Sequence, residues 1–144
     1  MSDDLSQNQT LDVPDGFEPL AWHRGFGRTV GPLFEKRTEG GLVRAFRVGS
    51  HHTNGMMNAH GGMVMTFADL AWGGAVEKDE DTWWVTVRLT CDFLSGAPHG
   101  DWVEGAGTVV SSIDGIYTVD GRIWSGEKTI MTGTGIFKII EKRV

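Results

Sequence analysis

The segment from Gly61 to Val76 constrains the fold more than any other. Met63, Phe67, Leu70 and Gly74 recur at helical spacing, and Val64, Ala68 and Ala71 fill a neighbouring stripe. Thr66 and Asp69 are the polar exceptions. A helix that is apolar nearly all round has to be buried, here by the remainder of a single-domain chain of 144 residues. The acidic run Glu77-Lys78-Asp79-Glu80-Asp81 returns the chain to solvent.

What is available to cover that helix reads as strand. Leu33 to Arg37 and Leu42 to Val48 flank Thr38-Glu39-Gly40-Gly41, the pattern of a hairpin, although alternation in its second arm is imperfect. After the helix, Trp83 to Leu94, Asp101 to Ser112, Ile116 to Trp124 and Thr129 to Ile140 are long runs rich in Val, Ile, Thr and aromatics. Asp114-Gly115 and Ser125-Gly126 supply turns between the last three. The pattern predicts an α+β domain: one long helix against an antiparallel sheet of five to six strands. Residues 16–144 form this single domain, residues 1–15 are expected to be a disordered polar tail, and Phe17 to Arg28 reads as a short helix or an irregular lead-in.

Composition narrows the function classes. The net charge of −6 argues against a nucleic-acid partner, which needs a basic patch. The 21 glycines fall singly or in pairs between apolar runs, so they signal turns and close backbone approaches, not a collagen or a linker. No window is long and apolar enough to span a membrane, and the amino terminus lacks the apolar core of a signal peptide. The one cysteine, Cys91, has no partner for an internal disulfide and reads as a buried, inert thiol. These features together predict a cytoplasmic protein with no membrane partner.

The chemistry gathers between Asn54 and Asp69. A carboxylate inside an apolar helix is costly unless it is paired or useful, so Asp69 is either a buried acid bonded to a neighbour or a reacting group. His60-Gly61-Gly62 stands at the helix start, where the first backbone N–H groups have no internal partner and carry the positive end of the dipole. Glycine there either permits tight packing or lets a carbonyl reach those donors as an oxyanion site. Gly61 and Asp69 are eight positions apart, about 12 Å along the axis, so one carbonyl cannot touch both on one helix. If both act in one reaction, the acid comes from a second copy, and the protein is a homodimer with two equivalent sites.

His52-Thr53-Asn54, then His60-Gly61-Gly62, then Asp69, resembles the hotdog-fold acyl-CoA thioesterases. The nearest subgroup is the phenylacetate-pathway and 4-hydroxybenzoyl-CoA thioesterase type, with an Asp on the central helix. The resemblance covers roughly residues 30 to 140. It implies a hotdog fold and hydrolysis of a small aromatic or medium-chain acyl-CoA. Asp69 would be nucleophile or general base, and the Gly61 N–H from the other subunit would polarise the carbonyl. Asn54 would orient water or thioester, with His60 and Gly62 helping to hold loop and substrate. Val85-Thr86-Val87 matches a Val-Ser-Val-like strand of the family, making Thr86 the candidate hydroxyl near the thiolate or water, although strand threonines also occur for packing. Coenzyme A would be part of the substrate, no cofactor is implied, and the dimers would pair further. One departure concerns Ser95-Gly96-Ala97-Pro98-His99, which lacks the basic residue that can meet coenzyme A phosphates in the family. Arg88, Arg122, Lys128 and Lys138 are substitutes.

Three rival readings follow from the same residues. His51, His52, His60 and Asp69 match no standard metal-ligand spacing, so no metal site is expected. A hotdog hydratase or dehydratase would pair an acid with a histidine to move a proton on carbon. A non-catalytic acyl-binding protein would use the same fold, with tryptophans lining the pocket, but has no reason to bury an unpaired Asp69; Trp72 and Trp124 read as core. Trp72, Trp83, Trp84, Met56 and Met57 surround the motif and suit an aromatic or medium-chain acyl group.

Overall fold

A computed structural model describes residues 12–21 and 24–141. The chain runs β1 (Glu18–Pro19), α1 (Gly25–Val30), β2 (Phe34–Thr38) and β3 (Gly41–Arg47), then a 3-10 turn (Ser50–His52). It continues through α2 (Gly61–Gly73), a second 3-10 turn (Gly74–Val76), β4 (Trp83–Phe93), β5 (Trp102–Ile113), β6 (Ile116–Ser125) and β7 (Lys128–Ile140). The seven strands form one antiparallel sheet in the order β1-β2-β3-β5-β6-β7-β4. The four long strands lie where their β-branched and aromatic runs predict. The α+β layout is as expected, with the helix packed on the sheet.

The additional strand, β1, pairs only Glu18 with Glu35 and Pro19 with Phe34, at the sheet edge where proline is tolerated. Two residues are too short to give an alternation signal. Of the tail expected over 1–15, residues 1–11 lie outside the described residues. Residues 12–15 sit against the sheet: Val13 packs on Phe17, Phe34 and Ala45, and Arg47 donates to the Asp12 carbonyl.

Helix α2 crosses the sheet at its glycines. Trp72 is fully buried and lies flat on β6 and β7, where a Cβ at Gly121 or Gly133 would overlap its ring. At Gly105 on β5 a Cβ would come within 2.9 Å of Phe67 and Ala71. These sheet glycines thus serve close helix–sheet approach. Burying Phe67 and Trp72 this way contributes several kcal/mol of apolar transfer energy, at about 25 cal/mol per Å². Trp124, by contrast, is half-buried under the Arg122 guanidinium, outside that core.

The helix is not buried all round, as its composition suggested. Gly62, Met65, Thr66 and Asp69 remain exposed or half-buried, and their spacing of three, four and seven places them on one stripe. Strand β4 is the sheet edge beside α2 and, among the described residues, pairs with no strand other than β7. Val85 and Val87 on β4 are 44% and 57% exposed. A helix stripe carrying Met65, Thr66 and Asp69 and a long strand edge with exposed valines therefore both lie open on this chain.

Candidate active site

Asp69 sits on the uncovered stripe of α2, in its middle, where it is half-buried. Strand β4 supplies its partner. Thr86 and Phe137 are paired across β4 and β7 with Phe137 fully buried, which turns Thr86 toward the helix. The Thr86 hydroxyl donates to Asp69 Oδ1. Burial pushes the Asp69 carboxyl above the usual carboxylate value, and the Thr86 hydroxyl pulls it partly back. The acid is thus bonded to a hydroxyl through one oxygen and remains half-buried. That arrangement suits a base or nucleophile that must remain available.

The other half of the motif is built at the start of the same helix. His60 is the N-cap, and its Nδ1 accepts from the Gly62 N–H at 2.8 Å. The ring lies close enough that a Cβ at Gly62 would meet Nδ1 at 3.0 Å, so the cap requires a small residue there. With the Gly62 N–H taken by His60, the N–H groups of Gly61 and Met63 are the first-turn donors left without an intrahelical partner. The Phe93 ring edge at the end of β4 flanks Gly61, 3.5 Å from where a Cβ would stand.

Asn54 shapes the preceding loop. Its Oδ1 accepts from the N–H groups of Met56 (2.9 Å) and Asn58 (3.2 Å). This closes a turn in which Met57 takes a positive φ of 62°. The Asn54 oxygen is therefore used within the loop, and the amide NH₂ is what it can present to a ligand. Met56 and Met57, expected near the acyl group, are exposed on that loop at 76% and 55%.

The two adjacent histidines hold this loop to the body of the fold. His51 Nε2 meets the Gly31 carbonyl at 2.7 Å. The His52 ring is buried, its Nδ1 accepts from the Gly49 N–H at 2.9 Å, and its Nε2 faces the Val30 carbonyl. Burial holds the His52 pKa down to about 4, so the ring is neutral with its proton on Nε2. The His52 carbonyl then accepts the His60 N–H at 2.7 Å. Both rings are anchors between α1 and the loop. Cys91 is half-buried on β4, and its thiol pKa is raised by burial and then by Asp92, which disfavours the thiolate.

Reading the sequence alone missed Arg44. It is 4% exposed and lies beneath α2, donating to the Leu70 carbonyl at 2.8 Å. The signal was a cation inside the apolar run Leu42 to Val48, which also broke the alternation of β3.

Asp69 and Thr86 are thus brought together in one chain, and Asn54, His60 and Gly61 form a second group about 12 Å away along α2. Residues 56–132 match the model of the thioesterase superfamily. The Pseudomonas aeruginosa protein PA0474, provisionally named an esterase, is 32% identical over 132 residues, covering 90% of this chain and 98% of its own. Among solved structures, the Escherichia coli PaaI protein of the phenylacetic acid degradation operon superposes with a TM-score of 0.63. It is 25% identical over 69% of this chain and 72% of its own. A hypothetical thioesterase protein of Streptococcus pneumoniae, crystallised with coenzyme A, has the same fold, with a TM-score of 0.66. It is 18% identical over 89% of this chain and 98% of its own.

Proposed function

The chain belongs to the thioesterase superfamily, with the hotdog fold, and from that premise we propose that it hydrolyses acyl-CoA thioesters to the free acid and coenzyme A. The observation that carries this reading is Asp69: a half-buried carboxylate on the one uncovered stripe of α2, held by the Thr86 hydroxyl. In the reaction the Gly61 N–H polarises the thioester carbonyl, and Asp69 either takes a proton from water as it attacks or attacks the carbonyl carbon itself. The C–S bond breaks, the thiolate leaves as coenzyme A, and the acyl group gains the oxygen of water. By the second route an Asp69 anhydride forms first and water then opens it. The amide NH₂ of Asn54 orients the thioester or the water, and His60, bonded to the Gly62 N–H, helps with Gly62 to hold the loop and the substrate.

Two copies complete the site. The axial separation of Gly61 and Asp69 supports a homodimer in which the helix start of one protomer faces Asp69 of its partner. The β4 edge, where Val85 and Val87 are exposed, and the open stripe of α2 support the same contact, since an edge strand with exposed apolar side chains calls for a partner. Pairing of dimers over the outer sheet face, where Ile113 and Ile116 are exposed, extends this arrangement. We place the enzyme in the cytoplasm. It needs no metal or cofactor beyond the coenzyme A of its substrate.

The acyl group we assign is small and aromatic, or of medium length. Phe93 beside Gly61 and the exposed Met56 and Met57 support an apolar acyl site, as does the likeness to the PaaI protein. The test is release of free thiol from a panel of aryl, arylacetyl and straight-chain acyl-CoA esters. Turnover of an aryl or medium-chain member is the expected result. No thiol release from any member would refute the reading, and water addition to an enoyl-CoA without thiol release would make the protein a hydratase.

A further inference from the structure

The Asp69–Thr86 pair joins helix α2 to the edge strand β4. Thr86 lies on the sheet edge, and Asp69 on the helix stripe that the sheet leaves open. Just beyond the pair, a chain of polar contacts bridges the same two elements. The Arg44 guanidinium reaches up from β3 and donates through Nη1 to the carbonyl of Leu70, the residue after Asp69 (2.8 Å). Through Nη2 it donates to Glu77 Oε1 (2.9 Å), and through Nε to Glu35 (3.3 Å). The other oxygen of Glu77 accepts from the indole N–H of Trp84 at 2.9 Å. Trp84 stands two residues before Thr86 on the same face of β4 and packs edge-on against Phe137. Its ring fills the space where Gly73 has no side chain.

A loop therefore closes: Leu70 carbonyl, Arg44, Glu77, Trp84, then along β4 to Thr86 and across to Asp69. A buried arginine satisfied by two carboxylates and a carbonyl is held rigidly, because loss of any partner leaves a charge or donor unpaired in low dielectric. We propose that Arg44, Glu77 and Trp84 are positioning residues for the reaction, setting the separation of α2 from the edge strand and with it the Asp69–Thr86 contact. The proposal rests on the hydrolase reading above.

The test uses the full-length protein and thiol release, with Trp84→Phe and Glu77→Gln as the variants. Trp84→Phe keeps an aromatic ring in the Gly73 groove and removes the N–H. Glu77→Gln keeps one acceptor and weakens the bridge. Thr86→Val serves as the reference for a lost Asp69 contact. Val119→Ala, a core change that removes none of the bridging hydrogen bonds, serves as the control for mere destabilisation. The expected result for both bridge variants is a fall in kcat of about tenfold or more, with KM within about twofold. The acidic limb of the kcat profile moves to higher pH, as in Thr86→Val, because the hydroxyl that lowers the Asp69 pKa is displaced. Val119→Ala lowers Tm without moving the limb. If the bridge variants lower Tm and leave kcat and the limb as Val119→Ala does, the positioning role is overturned while the hydrolase reading stands. If Asp69→Asn keeps wild-type kcat, the assignment of Asp69 as the reacting group falls, and the positioning role with it, while the hydrolase reading stands.

Discussion

Replacing Gly61 by proline removes one hydrogen-bond donor and almost nothing else. Gly61 is the first residue of α2, a position whose N–H has no intrahelical partner and where proline is favoured. The residue before a proline must be extended, and His60 already is, at φ −58° and ψ 140°. A Cβ there meets the Phe93 ring at 3.5 Å, an ordinary contact. Folding stability should change by less than about 1 kcal/mol, with the lost chain entropy of glycine in its favour. The catalytic cost is that of one oxyanion donor, about 10² to 10³ in kcat, with KM little changed because the bond strengthens only as charge develops on the carbonyl oxygen. Gly61→Ala keeps the N–H and should stay within a few-fold of wild type, on the order of 1 kcal/mol or less. Thiol release gives kcat and KM, and thermal unfolding gives Tm. Near-wild-type kcat in a folded Gly61→Pro would refute the oxyanion assignment. Equal damage by Gly61→Ala would show that space, not the donor, is what the glycine provides.

Mixing equal amounts of Asp69→Asn and Gly61→Pro under conditions of subunit exchange should restore roughly a quarter of wild-type activity. About half the dimers are then mixed, and each has one intact site of two. No recovery despite demonstrated exchange would mean that both groups act within one chain. Gly121→Ala, which drives a Cβ into the Trp72 ring, should cost about 1–3 kcal/mol and lower Tm by several degrees. An unchanged Tm would mean that the helix is not seated on that glycine. The pH dependences follow from the raised Asp69 pKa. Activity is lost as pH falls through that raised value, so the acidic limb lies above 3.8. The folded state holds the Asp69 proton more tightly than the unfolded chain, so this group's contribution to stability falls as pH rises from 3.8 through the raised value. Asp69→Asn should therefore be more stable than wild type at neutral pH, an advantage that disappears below 3.8; Tm against pH measures it.

Helix α2 is legible in the sequence because apolar residues recur at 3.6-residue spacing, and β4 to β7 because their runs are long and bounded by Asp-Gly and Ser-Gly turns. The uncovered stripe is not legible: Met65 is as apolar as Met63, and only the position of the sheet edge decides which of them is covered. Elements β1 and α1 are too short to carry a period. Asp69 stands out as an isolated charge, whereas its bond to Thr86 is a contact across 17 residues that no local pattern encodes. The roles of His51 and His52 as loop anchors depend on the carbonyls of Val30 and Gly31, which follow from how the chain folds back and not from side-chain type.

The most direct measurement is thiol release by wild type and Asp69→Asn from the best substrate of the acyl-CoA panel. Asparagine keeps the size of Asp69 and an oxygen to accept the Thr86 hydroxyl, so the site is preserved while the base or nucleophile is lost. The expected result is a folded variant whose kcat is lower by roughly 10³ or more, a loss of at least about 4 kcal/mol in transition-state stabilisation. A folded Asp69→Asn that releases thiol at near the wild-type rate would contradict the assignment of Asp69 as the reacting carboxylate.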